Sequence, residues 1–277
     1  MDSHLLQETK GVLKKLGLRA EKKFSQNFLI DENILNTIIE QSDLKNNEQV
    51  IEVGSGLGVL TSALLLTGAK VFGIEKDANL LSFLKGNLGT QKNLDLIAGD
   101  VLEVLPPLVA KLKTPYKIVA NLPYALSGKL IQLFLELEPR PTRLVLMLQL
   151  EVGQRLTAKA GQQSILGVLS QMLSEIIIAK IVSKNCFYPV PKVDSAIVIF
   201  KPKKDVKISK FLARLVKISF ASRRQTLANN LSVGLDLNKQ KIEEIIDYCG
   251  LKKLCRAQEL TLENWQNLAQ QILQYQK

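Results

Sequence analysis

The sequence predicts an α/β chain in which a mostly parallel sheet, covered by helices on both faces, is followed by a small all-helical domain. Three observations lead there. Short β-rich runs alternate with helical patterns through the middle of the chain, as a parallel sheet built from βα units requires. Each run is nearly continuous in apolar residues, as expected of a strand buried on both faces. Beyond Lys201-Pro202-Lys203-Lys204, only helical periodicity remains.

In order, the candidate strands are Gln49–Val53, Lys70–Glu75, Asp95–Ala98, Lys117–Ala120 and Arg143–Gln149. Helical stretches between them are Val59–Thr67, Ala78–Gly86 and Gly128–Leu137. A polar helix start after Leu150, an apolar helix at Ile165–Leu173, and strands near Ile176–Val182 and Ser195–Lys201 follow. Ile208–Phe220, Arg224–Leu231, Lys239–Tyr248 and Leu262–Leu273 then read as helices. The expected division is residues 1–202 for the sheet domain with its N-terminal arm, and 203–277 for the helical domain.

The 277 residues suffice for one large core and a smaller appendage. Hydrophobic content of 46% and a mean hydropathy of +0.09 describe a soluble globular chain. No run approaches the roughly 18–20 apolar residues that would cross a bilayer. The N-terminal stretch Leu13 to Leu18 is broken by lysines and glycine, unlike a signal peptide's apolar core. A cytoplasmic location is expected. Cys186, Cys249 and Cys255 form no CxxC pair, and His4 is the only histidine, so neither a structural zinc site nor a histidine-based hydrolase fits. No metal is expected.

The formal charge of +11 is unevenly spread. Lys201, Lys203, Lys204, Lys207, Lys210, Arg214, Lys217, Arg223 and Arg224 face a single acid, Asp205, over one short span. Lys10, Lys14, Lys15, Arg19, Lys22 and Lys23 make a second cluster. Two basic clusters with few apolar anchors among them suit a nucleic acid better than a membrane.

The run Ile51-Glu52-Val53-Gly54-Ser55-Gly56-Leu57-Gly58 ends a buried strand and opens a helix. Glycines there allow a tight turn and a close approach to a ligand. The spacing is GxGxG, with Val59 where a dinucleotide fingerprint wants its third glycine. Glu75, ending the next strand, can accept hydrogen bonds from both hydroxyls of a ribose, which suits NAD or S-adenosylmethionine alike. Asp100, after the third strand, can accept from an adenine amine or can equally cap a helix beginning at Val101. Together, Gly54, Gly56, Glu75 and Asp100 resemble the acid-at-each-strand-end pattern of class I methyltransferases, whose sheet is Rossmann-like.

Asn121-Leu122-Pro123-Tyr124, directly after the fourth strand, resembles the (D/N)-P-P-(Y/F/W) motif of methyltransferases that act on base amines. Adenine N6 is a poor nucleophile because its lone pair is delocalised into the ring. If the Asn121 side-chain oxygen and the Leu122 carbonyl each accept one N6 hydrogen, the lone pair can turn towards a sulfonium methyl. Pro123 stiffens the loop, and Tyr124 offers a face on which a base stacks, worth about 1–3 kcal/mol. This chemistry needs no histidine. Phe187, in Phe187-Tyr188-Pro189-Val190-Pro191-Lys192-Val193-Asp194-Ser195, is either a second face for the extruded base or a core residue.

Lys23-Phe24-Ser25-Gln26-Asn27-Phe28-Leu29, the EVGSGLG loop, NLPY and FYPVPKVDSA occur in an order similar to that of the ribosomal RNA adenine N6,N6-dimethyltransferases. That family includes small-subunit (KsgA-type) and large-subunit (Erm-type) enzymes. The resemblance runs from about Lys22 to the end of the chain, although members usually have glycine at the position of Ser25. It implies S-adenosyl-L-methionine as cofactor, with Asn27 and Leu29 closing over its methionine end and Gly54 contacting it. It also implies that Glu75 and Asp100 hold ribose and adenine, and that Asn121 borders both cofactor and target amine. Phe220 to Asn230 and Arg256-Ala257-Gln258-Glu259-Leu260 resemble the small-subunit type. The implied substrate is two adjacent adenosines in a hairpin loop near the 3′ end of small-subunit RNA. A monomer would act on the immature subunit, with Lys22, Lys23, Lys201, Lys203, Lys204, Arg223 and Arg224 on the RNA.

Overall fold

Strands buried on both faces can only stack side by side under helices, and a seven-stranded sheet is the outcome. The computed structural model describes residues 4–17 and 27–275. Along the chain lie α1 (His4–Lys15), β1 (Phe28–Leu29), α2 (Glu32–Ser42), β2 (Gln49–Val53), α3 (Val59–Leu66), β3 (Lys70–Glu75), α4 (Ala78–Leu88), β4 (Leu94–Ala98) and α5 (Val101–Val109). Then come β5 (Tyr116–Asn121), α6 (Ser127–Glu136), β6 (Arg143–Gln149), α7 (Leu150–Leu156), α8 (Ile165–Leu173), β7 (Ser174–Val182), β8 (Phe187–Tyr188) and β9 (Ser195–Pro202). Helices α9 (Lys210–Ser219), α10 (Leu227–Leu235), α11 (Lys239–Tyr248) and α12 (Leu262–Tyr275) complete it.

The sheet order is β4-β3-β2-β5-β6-β9-β7. Strands β2, β3, β4, β5 and β6 pair in parallel, and β9 returns antiparallel to β6. Val50, Ile51, Ile118, Val119 and Leu144 are fully buried in this sheet. Each such side chain contributes roughly 1.5–3 kcal/mol by leaving water. From β2 the chain steps outward through β3 to β4, then crosses back so that β5 lies on the other flank of β2. That reversal opens a crevice at the carboxyl ends of β2 and β5, where open α/β sheets bind ligands.

Aspartates start two of the helices beside that crevice. Asp31 Oδ1 accepts from the N–H groups of Asn33 and Ile34 at α2, and Asp77 Oδ1 does the same for Asn79 and Leu80 at α4. Three α-helices went unassigned from sequence, as did the two-residue strands β1 and β8. In α5, Pro106 and Pro107 sit inside the helix and read as breakers. For α2, Ile34, Leu35, Ile38 and Ile39 recur at helical spacing behind Asp31, a signal that was there to be read. For α1, the legible stretch Leu13 to Leu18 overlaps only the end of a helix that buries Thr9 and Leu13.

The chain divides into two compact units, and the division differs from the one expected. The first runs to Gly153 and resumes over Ile177–Pro202; the second holds Gln154–Ile176 as well as the chain from Lys203. Helix α8 explains the difference. Its Val168 and Met172 are buried in the same cluster as Leu227, Leu231, Ile242 and Trp265. Trp265 is fully buried and stacks on Phe220 with ring centroids 6.0 Å apart. The Lys203 N–H also donates to the Leu173 carbonyl. Among the described residues no helix is long and apolar enough to cross a membrane.

Candidate active site

At the crevice, the first unit has a cavity of about 560 Å³ whose walls include Asn27, Glu52, Gly54, Glu75, Asn121 and Tyr124. The glycine turn makes its floor. Gly54 has φ 77°, and a Cβ built on it would meet nothing within 4 Å, so it faces open space. Gly58, φ 84°, begins α3. A Cβ there would lie 2.8 Å from Leu84 Cδ2 of α4, so a larger residue would have to push that side chain aside in addition to holding a left-handed φ.

Glu75 is buried at the end of β3 and is held by backbone. Its Oε2 accepts from the Gly56 N–H at 2.8 Å, and its Oε1 accepts from the N–H groups of Lys76 and Asp77, both at 2.9 Å. A carboxylate offers about four acceptor sites. Three of them are taken by these backbone donors, and the site left open is on Oε2.

Asp100 is the N-cap of α5, its Oδ1 accepting from the Leu102 N–H at 2.9 Å. Its Oδ2 pairs with Lys76 Nζ at 2.9 Å. The Lys76 hydrogen bond, helped by the Leu102 N–H, holds the carboxyl below its ordinary range. Asp100 is not among the residues lining the cavity, whereas its partner Lys76 is. The capping role considered for it is seen, and its carboxylate keeps acceptor sites beyond the two in use.

Glu52 was missed. It is 1% exposed within β2, and its Oε2 accepts from Thr61 Oγ1 at 2.6 Å and Ser55 Oγ at 2.9 Å. Its Oε1 is buried with no partner. Burial pushes the carboxyl up to about 7, with a further rise from the negative Glu75, against the lowering effect of the two hydroxyls. The signal was one acid inside an otherwise apolar strand run.

Asn121 ends β5 with its side chain already committed. Its Nδ2 donates to the Asn27 carbonyl at 3.0 Å, leaving Oδ1 with no hydrogen bond to the described residues. The Leu122 N–H donates to the Met147 carbonyl at 3.2 Å and so anchors the loop to β6. Pro123 has φ −58°. Tyr124 is half-buried, and burial raises its phenol above the ordinary value. Asn27, Phe28 and Leu29 form the facing wall. Phe28 and Leu29 pair antiparallel with Tyr188 and Phe187, bringing two distant motifs together.

Phe187 does not present a face to the site. It is 1% exposed and packs in the core with Leu29, Ile34 and Ile38, so the second stacking surface considered for it gives way to the core reading. Among the basic residues, Lys201, Lys204, Arg223 and Arg224 are exposed. Lys203 Nζ donates to the Gln171 carbonyl at 2.9 Å, a bond internal to the second unit. Lys22 and Lys23, with Phe24 to Gln26, lie outside the described residues.

The glycine turn, the strand-end carboxylate and the empty space above Gly54 fit an adenosyl-methionine ligand, and the protein is a class I methyltransferase that uses S-adenosylmethionine. Its family follows from comparison. The model of the ribosomal RNA adenine dimethylase family matches residues 17–272, and the chain belongs to that family. It is 35% identical to ribosomal RNA small subunit methyltransferase A of Dehalococcoides mccartyi over 269 residues, 95% of this chain and 92% of that one. The protein of the same name from Geobacter metallireducens is 36% identical over 93% of this chain and 97% of its own. Among solved structures, a dimethyladenosine transferase from Plasmodium falciparum superposes with a TM-score of 0.76 at 25% identity, covering 90% of this chain and 97% of that one. The 23S rRNA methyltransferase ErmE gives 0.70 at 25% identity, over 88% and 99%.

Proposed function

We propose that the chain transfers methyl groups to the N6 amines of two adjacent adenosines in a hairpin loop near the 3′ end of small-subunit (16S) ribosomal RNA, during subunit assembly. It acts in the cytoplasm as a monomer on the immature subunit. The observation that carries this reading is the tethered Asn121 amide. With Nδ2 bound to the Asn27 carbonyl, Oδ1 is oriented before any base arrives, and a preset acceptor avoids reorganisation during reaction.

S-adenosylmethionine supplies an electrophilic methyl on a positively charged sulfur. Asn27, Leu29, Gly54 and Glu75 would hold the cofactor, and Asp100 would meet its adenine amine with the acceptor sites that Leu102 and Lys76 leave open. Asn121 Oδ1 and the Leu122 carbonyl each accept one N6 hydrogen, which localises the nitrogen lone pair. Tyr124 stacks the base and keeps that lone pair aimed into the cavity. After transfer the amine loses a proton to water, so no basic side chain is required. Lys201, Lys204, Arg223 and Arg224, together with Lys22 and Lys23, contribute phosphate contacts that set affinity more than base choice.

The small-subunit target is supported by the relatives named for it and by the segments Phe220 to Asn230 and Arg256 to Leu260. The test is transfer of labelled methyl to immature small subunits lacking the modification, read by nucleoside mass spectrometry. Dimethyladenosine in small-subunit RNA is the expected product. Labelling of large-subunit RNA alone would replace the target, and no transfer despite cofactor binding would remove the catalytic reading.

A further inference from the structure

The Phe187–Ser195 motif ends on a residue that the mechanism above does not use. Ser195 opens β9, opposite Gln149 of β6, and is fully buried. Its Oγ lies 2.8 Å from Tyr124 Oη, a hydrogen bond between residues 71 apart. The residue before it is fixed from two sides. The Asp194 carbonyl accepts from the Leu150 N–H at 3.0 Å, and Asp194 Oδ1 accepts from the Lys184 N–H at 2.9 Å. Ser195 is thus a rigid point on the sheet, while Tyr124 sits on a short turn after Pro123 with a half-buried ring. A phenol has one torsion that swings its ring about Cα–Cβ, and a hydrogen bond at the far end is the contact best placed to stop that swing.

We propose that Ser195 is a positioning residue for methyl transfer: it anchors the Tyr124 hydroxyl and so fixes where the ring on which the target adenine stacks is held. This rests on the reading of Tyr124 as the stacking face. It gives the proline-rich loop a task that the buried Phe187 does not perform, coupling the loop to the catalytic turn through one hydroxyl pair.

The experiment is a double-mutant cycle in the full-length protein with immature small subunits as substrate. Ser195→Ala and Tyr124→Phe each delete one half of the pair and keep the ring. Each is expected to lower kcat by about three- to tenfold, the factor expected for one lost hydrogen bond, with the KM for S-adenosylmethionine unchanged. The double variant is expected to be no worse than either single one, and Ser195→Thr, which restores a hydroxyl, to recover most of the loss. Full activity in Ser195→Ala overturns the proposal, and so do multiplying losses in the double variant. If Ser195→Ala folds poorly, Tyr124→Phe, which removes one oxygen and adds no bulk, tests the bond alone: full activity in that variant also overturns the proposal. Tyr124→Ala separates the two levels: wild-type transfer by that variant would remove the stacking role itself, whatever Ser195 does.

Discussion

Replacing Glu52 by glutamine should stabilise the protein above neutral pH and change little in acid. The carboxyl is pushed up to about 7 in the folded chain from the usual 4.5, first by burial and then by Glu75. A raised carboxyl pKa means that the folded state holds a proton which the unfolded state has released. Stability is therefore lost as pH rises from about 4.5, and the loss is complete once the folded group ionises near 7. At about 1.36 kcal/mol per pH unit, the gap amounts to about 3 kcal/mol. Glutamine keeps a carbonyl oxygen that can accept from Ser55 and Thr61 and never ionises. Urea unfolding followed by circular dichroism, without cofactor, at pH 5 and pH 8.5 is the assay. With a slope of about 3 kcal/mol/M, the difference between wild type and Glu52→Gln should widen by roughly 1 M between the two pH values. Parallel behaviour of the two proteins, or a variant weaker at pH 8.5, would refute the account of Glu52 as a strained buried acid.

Other expectations test the site and the surface. Asn121→Ala should retain S-adenosylhomocysteine binding in calorimetry but transfer methyl about a hundredfold more slowly or worse, the usual scale for losing one preset polar contact; wild-type turnover would end the role given to its amide. Replacing Arg223 and Arg224 with alanine should weaken binding to small-subunit RNA and reduce the slope of log affinity against log salt by about one per lost phosphate contact. An unchanged slope would take this pair off the RNA. Gly58→Ala should lower thermal stability by more than the roughly 1 kcal/mol of an ordinary left-handed position, because its methyl also meets Leu84. A neutral melting temperature would show that α3 and α4 can part freely.

Chain order and local chemistry determined much of this protein before any fold was known. Continuous apolar runs defined β2, β3 and β6 to the residue, since a strand covered on both faces leaves no other pattern. The glycine turn, Glu75 and NLPY were legible because each sits at the end of such a run, and a parallel sheet brings all those ends to one edge. What needed the tertiary structure was every relation between residues distant in sequence. Only folding shows Asn121 bound to the Asn27 carbonyl, Tyr124 to Ser195, and Lys76 on Asp100, because hydrogen bonds across 24 to 94 residues leave no periodic trace. The same holds for burial. Phe187, open to either reading from its sequence, lies in the core, and Glu52, a single acid in an apolar run, is shut away from water. Helix α8 packs with the C-terminal helices although, with α7, it lies in sequence between the sheet strands β6 and β7. Apolar periodicity says that a face must be covered; only the three-dimensional packing decides what covers it.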